Sequence, residues 1–214
     1  MFTGIIEELG VVKGLAVRGP SGQITIQAKK VLEGTRTGDS IAVNGICLTV
    51  VSMDQDSFTA DVMAETFRRS SLGDCQPGSL VNLERAMAAD GRFGGHIVSG
   101  HIDGTGVIRE YRTEANAVWV RIKAAPEILG LVVEKGSISI DGISLTVAAV
   151  SGTDFQVSVI PHTGQETTLL RKRPGDRVNL ENDLVGKYVE KLLGAGTRKP
   201  GSRITMEFLE ENGF

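Results

Sequence analysis

Ser40-Ile41-Ala42-Val43-Asn44-Gly45-Ile46-Cys47-Leu48-Thr49-Val50 returns 97 residues later as Ser137-Ile138-Ser139-Ile140-Asp141-Gly142-Ile143-Ser144-Leu145-Thr146-Val147. Each stretch is two apolar runs around an Asn-Gly or Asp-Gly pair. Such pairs supply the positive φ angles of a two-residue type I′ turn, so each stretch reads as a tight antiparallel hairpin. Working outward, residues 37–87 align with 134–184 without a gap, and 17 of these 51 positions are identical. Pro77-Gly78 and Val81-Asn82-Leu83-Glu84 recur as Pro174-Gly175 and Val178-Asn179-Leu180-Glu181. Gly4 and Gly10-Val11-Val12 recur as Gly100 and Gly106-Val107-Ile108, at an offset of 96. Solenoid repeats have periods of about 20–50 residues. This period is that of a whole small domain, so the chain of 214 residues holds two copies of one domain.

The 27 glycines, the scarcity of aromatics and the short β-branched runs between turn signals predict a small barrel or sandwich. Strands are expected near 5–13, 22–28, 40–43, 46–52, 57–63 and 79–85, and in the second copy near 102–110, 117–123, 137–140, 143–150, 154–160 and 176–182. Short helices are expected after Lys29, after Glu65-Thr66 and after Pro126. A counterpart helix after Thr163 would have to run through Gly164. From Asp183 to Gly194, apolar residues fall at 185, 188/189, 192 and 193, which is helical spacing with Asp183 as N-cap and Gly194 as C-cap. That stripe fits an oligomer seam or packing on the chain's own barrel. A second, weak helix is expected over 203–211.

The composition excludes several classes. A net charge of −3 argues against a nucleic-acid surface. No run of about 18 apolar residues exists to span a membrane, and the N-terminus has no signal-peptide pattern. Arg68-Arg69 and Arg171-Lys172-Arg173 fit solvated turns or an anion contact. Cys47 and Cys75 align with Ser144 and Lys172. A structural disulfide would have been duplicated with the domain, so both read as free thiols of a reducing cytoplasm. His96, His101 and His162 form no metal-ligand spacing with them, so no metal is expected. Dinucleotide, Walker A and nucleophile-elbow patterns are missing.

The polar positions that survive in both copies carry the functional signal. Cys47 and Thr49 are two apart on a strand and share a face, with Leu48 opposite. Asp61-Val62-Met63-Ala64-Glu65-Thr66 follows. The second copy offers Ser144, Leu145 and Thr146, then Val159-Ile160-Pro161-His162-Thr163. A shared ligand site explains their retention; threonines chosen for strand propensity are the plainer account.

Taken together, these residues resemble the riboflavin synthases of the α-chain type. The likeness covers residues 1 to about 194. It rests on Met1-Phe2-Thr3-Gly4-Ile5-Ile6, the two hairpin motifs, Gly94-Gly95-His96-Ile97-Val98-Ser99-Gly100-His101, Ile160-Pro161-His162-Thr163 and Gly186-Lys187-Tyr188-Val189-Glu190. The resemblance implies an all-β fold of two tandem six-stranded Greek-key barrels over 1–86 and 98–183. A linker over 87–97, a C-terminal oligomerisation helix over 184–194 and a tail over 195–214 complete it. It implies a cytoplasmic homotrimer with no cofactor, and it raises association with lumazine synthase. The reaction implied is the dismutation of two molecules of 6,7-dimethyl-8-ribityllumazine, by transfer of a four-carbon unit, to riboflavin and 5-amino-6-(ribitylamino)uracil. The alternative is a non-catalytic lumazine- or flavin-binding accessory protein of the same fold.

Carried over by position, one pocket uses Cys47, Leu48, Thr49, Asp61, Val62, Met63, Ala64, Glu65 and Thr66, joined by Gly100, His101 and Ile102. The other uses Gly4, Ile5, Ile6, Lys135, Ser144, Leu145, Thr146, Val159, Ile160, Pro161, His162, Thr163 and Gly164. His101 is the candidate for proton transfer, with Ser144 and Thr146 as helpers. Cys47 opposite Ser144 makes the pockets chemically unequal. Phe2 fits either a lid on a bound ring or a core anchor.

Overall fold

The computed structural model describes residues 1–18 and 21–196; the helix expected over 203–211 lies outside them. Twelve strands are described. They are β1 (Glu8–Arg18), β2 (Ser21–Gln27), β3 (Ser40–Val43), β4 (Ile46–Met53), β5 (Ser57–Met63), β6 (Leu80–Arg85), β7 (Gly104–Glu114), β8 (Ala117–Lys123), β9 (Ser137–Ile140), β10 (Ile143–Val150), β11 (Asp154–Val159) and β12 (Arg177–Asn182). They close into two antiparallel six-stranded barrels with one connectivity: β1-β2-β5-β4-β3-β6 and β7-β8-β11-β10-β9-β12. The β-bulges recur at matching positions too. They fall between Val12 and Gly14 and between Val50 and Ser52 in the first barrel, and between Ile108 and Glu110 and between Val147 and Ala149 in the second. Such bulges bend a strand enough to close a small barrel.

Alternation fills each barrel. Ile24, Ile26, Ile41, Phe58 and Leu83 pack in the first, and Ile108, Ile122, Ile138, Ile140 and Phe155 in the second. At roughly 25 cal/mol per Å² of apolar surface, burying a side chain of this size contributes about 1.5–3 kcal/mol. The expected one-turn elements appear as α1 (Ala64–Arg69), α2 (Pro126–Leu129) and a 3-10 turn over Lys30–Leu32. Gly164 does not prevent the second-copy helix. α3 runs Pro161–Glu166 through it, and a Cβ there would lie 2.5 Å from Leu170 Cδ1, so glycine serves packing.

The hairpin turns have a second job. Asn44 and Gly45 have φ of 46° and 79°, and Asp141 and Gly142 of 46° and 82°, as a type I′ turn requires. The two turns abut: a Cβ on Gly45 would lie 2.7 Å from the Gly142 nitrogen. A pseudo-symmetric polar web surrounds them. Asn82 Nδ2 donates to the Asp141 carbonyl at 2.9 Å, and Asn179 Nδ2 to the Asn44 carbonyl at 2.8 Å. The Thr168 N–H donates to Asn82 Oδ1 at 2.8 Å, and the Ser71 N–H to Asn179 Oδ1 at 2.7 Å. These side chains are buried, and the web satisfies groups whose desolvation would otherwise cost about 1–3 kcal/mol each. The web has one asymmetry. Asp141 is fully buried and pairs with Lys172 at 3.1 Å, where the first copy has Asn44 and Cys75.

Among the described residues, Val185–Gly196 belong to a unit separate from the barrels. α4 spans Leu184–Gly196, so Gly194 lies within the helix rather than ending it. Val185, Tyr188, Val189, Leu192 and Leu193 are all exposed on it. No helix among the described residues is long and apolar enough to cross a membrane.

Candidate functional site

The head of each repeat bonds to the hairpin strand of the other repeat. Residues Phe2 and Val98 pair antiparallel: the Phe2 N–H donates to the Val98 carbonyl at 2.8 Å, and the reverse bond is 3.1 Å. Beyond this bridge the two segments part. The Cys47 N–H, in the first barrel, donates to the Gly100 carbonyl at 2.9 Å. The Ser144 N–H, in the second barrel, donates to the Gly4 carbonyl at 2.8 Å. Both glycines have positive φ, 78° at Gly4 and 84° at Gly100. A Cβ on Gly4 would lie 2.6 Å from Ser144 Cβ, and one on Gly100 2.6 Å from Cys47 Cβ. Conformation and contact each demand glycine.

Two buried glutamates anchor these heads. Glu84 accepts from the Thr3 N–H at 2.7 Å, the Thr3 hydroxyl at 2.9 Å and the Gly4 N–H at 3.0 Å. Glu181 accepts from the Ser99 N–H at 2.6 Å, the Ser99 hydroxyl at 2.7 Å and the Gly100 N–H at 3.1 Å. Burial raises the Glu84 carboxyl above its usual value, although the Thr3 and Gly4 donors pull it down. Phe2 is 1% exposed in a small cluster with Ala42 and Val98, against which Cys47 packs, and so serves as a core anchor here.

In the first barrel, Cys47, Leu48, Thr49, Asp61, Val62, Met63, Glu65, Thr66, Gly100, His101 and Ile102 border one cleft of about 540 Å³. Ala64 opens α1 at its edge. Strand alternation does what the spacing predicts: Leu48 is buried, Cys47 half-buried and Thr49 exposed. Ile46, Val51 and Arg69 also border the cleft. Sequence reasoning left Ile46 and Val51 out because an apolar strand residue carries no distinctive signal, and it offered Arg69 only as part of a basic pair, in a solvated turn or an anion contact. Glu65 is held by Arg68 at 2.6 Å and Arg69 at 2.8 Å, and the Arg68 pairing draws its carboxyl below the usual range. His101 is exposed, with Nδ1 3.3 Å from the Ser99 hydroxyl.

The second set is carried by the matching elements. Ser144 is half-buried and Thr146 exposed on β10, with Leu145 turned inward. Val159 ends β11, Ile160 precedes α3, and Pro161, His162, Thr163 and Gly164 lie on α3. Ile5 is exposed, while Ile6 packs on the second core. Lys135 is exposed with a φ of 66°, where the first copy has Gly38; a lysine held in that region stores about 1 kcal/mol of strain or more. His101 thus borders the first cleft, whereas its expected helpers Ser144 and Thr146 belong to the second site. Ser144 has a different partner, which sequence reasoning did not single out: His96 Nδ1 lies 2.7 Å from its hydroxyl. The histidine sits in the Gly94-Gly95-His96 motif, outside the stretches over which the two copies were aligned, so comparison of the copies was blind to it. The recurring Val-Asn-Leu-Glu motif contains Asn82, Glu84, Asn179 and Glu181, but it marked only the duplication, and sequence reasoning gave these residues no role.

Among the described residues no group of three or more His, Cys, Asp or Glu could hold a metal ion. The lumazine binding domain family matches residues 3–86 and again 99–183. Riboflavin synthase of Actinobacillus pleuropneumoniae is 55% identical to the chain over 215 residues, covering 100% of both. That of Bacillus subtilis is 49% identical, again covering 100% of both. A solved structure of LumP complexed with riboflavin overlays with a TM-score of 0.79 at 24% identity, covering 85% of this chain and 99% of that one. The duplicated barrels, the full-length likeness and the two domain matches agree: the chain belongs to the riboflavin synthase family.

Proposed function

We propose that the chain makes riboflavin by dismutating two molecules of 6,7-dimethyl-8-ribityllumazine, one in each kind of site. The observation that carries this is the crossed closure: both copies keep a hairpin strand capped by the other repeat's glycine and anchored by a buried glutamate. A binding protein needs one such site. A reaction of a compound with itself uses two, and holding both rings in register can remove up to about 7–11 kcal/mol of barrier. The C7 methyl of one lumazine loses a proton. The carbanion attacks the other ring, which surrenders its four-carbon unit. The hydroxyls of Thr49, Ser144 and Thr146, with the Cys47 thiol, hold the pyrimidinedione edge and ribityl chain.

His101 moves the proton from the first cleft. Since Ser144 and Thr146 lie in the other site, the pair is completed when the first cleft of one subunit faces the second site of a neighbour. The exposed apolar face of α4 supports a homotrimer that brings this about. The two free cysteines fit a cytoplasmic protein. Association with lumazine synthase rests on family resemblance alone. The decisive experiment incubates the chain with 6,7-dimethyl-8-ribityllumazine and follows riboflavin absorbance. Binding without turnover would leave the accessory-protein alternative instead.

A further inference from the structure

We propose that Ser99 is a positioning residue for His101: its hydroxyl proton goes to the Glu181 carboxylate, its oxygen accepts from His101 Nδ1–H, and the Nε2 lone pair is thereby kept for the substrate's proton. Three observations carry it. Ser99 Oγ lies 2.7 Å from Glu181 Oε1, and Glu181 is 1% exposed. The same oxygen lies 3.2 Å from the His101 backbone nitrogen and 3.3 Å from His101 Nδ1. His101 borders the first cleft together with Cys47 and Thr49.

A count of protons fixes the direction of each bond. A hydroxyl has one proton to donate and two lone pairs, whereas a carboxylate only accepts. Hydrogen bonds to a carboxylate are also the stronger ones, so the Ser99 proton goes to Glu181. The two lone pairs remain for the His101 backbone N–H, which can only donate, and for Nδ1, which must then carry the ring proton. All three places on the hydroxyl are used. The bond made by one ring nitrogen decides the state of the other, so Nε2 keeps its lone pair. A general base needs such a lone pair within reach of the proton it removes. Ser99 and His101 are two residues apart, and the backbone bond between them holds ring and hydroxyl in one short turn. The other repeat has the same anchor without the base. Thr3 bonds to Glu84 through its N–H and hydroxyl as Ser99 does to Glu181, but two residues further on stands Ile5. The two heads thus differ in an oriented imidazole, and the carboxylate behind it comes from β12 of the second barrel.

The inference rests on the proposed reaction only for its kinetic consequence, so two kinds of readout separate the cases. Nitrogen-15 spectra of the full chain at pH 8 should show a neutral histidine protonated on Nδ1, identified as His101 by its loss in His101→Gln. In Ser99→Ala its proton should shift toward Nε2, the form an unassisted imidazole favours. An Nε2-protonated His101 in the wild-type chain overturns the proposal whatever the activity. In riboflavin formation, Ser99→Ala should lower kcat about tenfold, the size of one strong hydrogen bond, with KM changed less than about twofold. The backbone bonds from Ser99 and Gly100 to Glu181 survive that change, so the head keeps its place. Ser99→Thr should restore most of the rate, since threonine does the anchoring at Thr3. In a His101→Gln background Ser99→Ala should cost less than about twofold, because the coupling is gone. A rise in KM alone, equal losses in Ser99→Ala and Ser99→Thr, or an undiminished loss without His101 would give Ser99 to the scaffold and refute positioning. A wild-type chain that makes no riboflavin refutes the proposed function, and the tautomer then still decides for or against the hydrogen bond.

Discussion

Single atoms decide much of the site. Gly100 touches Cys47 so closely that one methyl cannot enter, and its φ of 84° is foreign to other residues. Gly100→Ala should cost about 2–4 kcal/mol of stability from backbone strain and overpacking together, read as a shift in the urea midpoint. Cys47→Ser is a different test, because it makes the first site resemble the second without adding bulk. Stability should hold, while riboflavin turnover should fall several-fold if sulfur and oxygen assign the donor and acceptor roles. Unchanged turnover would leave the sulfur without a part in that assignment.

At the level of strands and turns, one buried pair invites measurement. Burial holds the Asp141 carboxyl above its usual 3.8, against the pull of Lys172. The folded chain therefore binds that proton more tightly than the unfolded chain. The associated stability is fully present below the unfolded value and is lost as pH rises through the folded one. Lys172 also donates to the Arg177 carbonyl at 2.8 Å, so removing the carboxylate does not orphan it. Asp141→Asn, the residue the first copy uses at Asn44, should then be more stable than wild type by about 1 kcal/mol or more at pH 7. The advantage should vanish toward pH 4. A variant less stable than wild type at pH 8 would mean that the ion pair outweighs its burial.

The same turns show what sequence could reveal. Asn44-Gly45 and Asp141-Gly142 declared their hairpins, because type I′ geometry is a local property of two residues. Their mutual contact was not declared, since packing of one turn on another is set by distant strands. Likewise Gly164 weakened the expected helix after Thr163, and its packing against Leu170 was not visible in the sequence. The two strand clusters were legible through duplication, and His96 was not, because it lies outside the aligned stretches.

At the scale of the whole molecule, α4 carries an exposed apolar face among the described residues. Replacing Leu192 and Leu193 together by Glu should leave the barrels' thermal unfolding nearly unchanged. Light scattering should then show a smaller species, and riboflavin formation should fall to background. A full-sized, active species would show that α4 does not build the proposed trimer. The crossed heads carry a consequence for history and engineering alike. A polypeptide of one repeat could cap its own strand only by borrowing the head of a second copy, so its completeness would depend on concentration. Joining the copies through residues 87–97 makes that loan intramolecular, with an effective concentration on the order of millimolar or more whatever the dilution. It also frees each half from having to match itself, which is the condition under which Cys47 and Ser144, or Asn44 and Asp141, can drift apart.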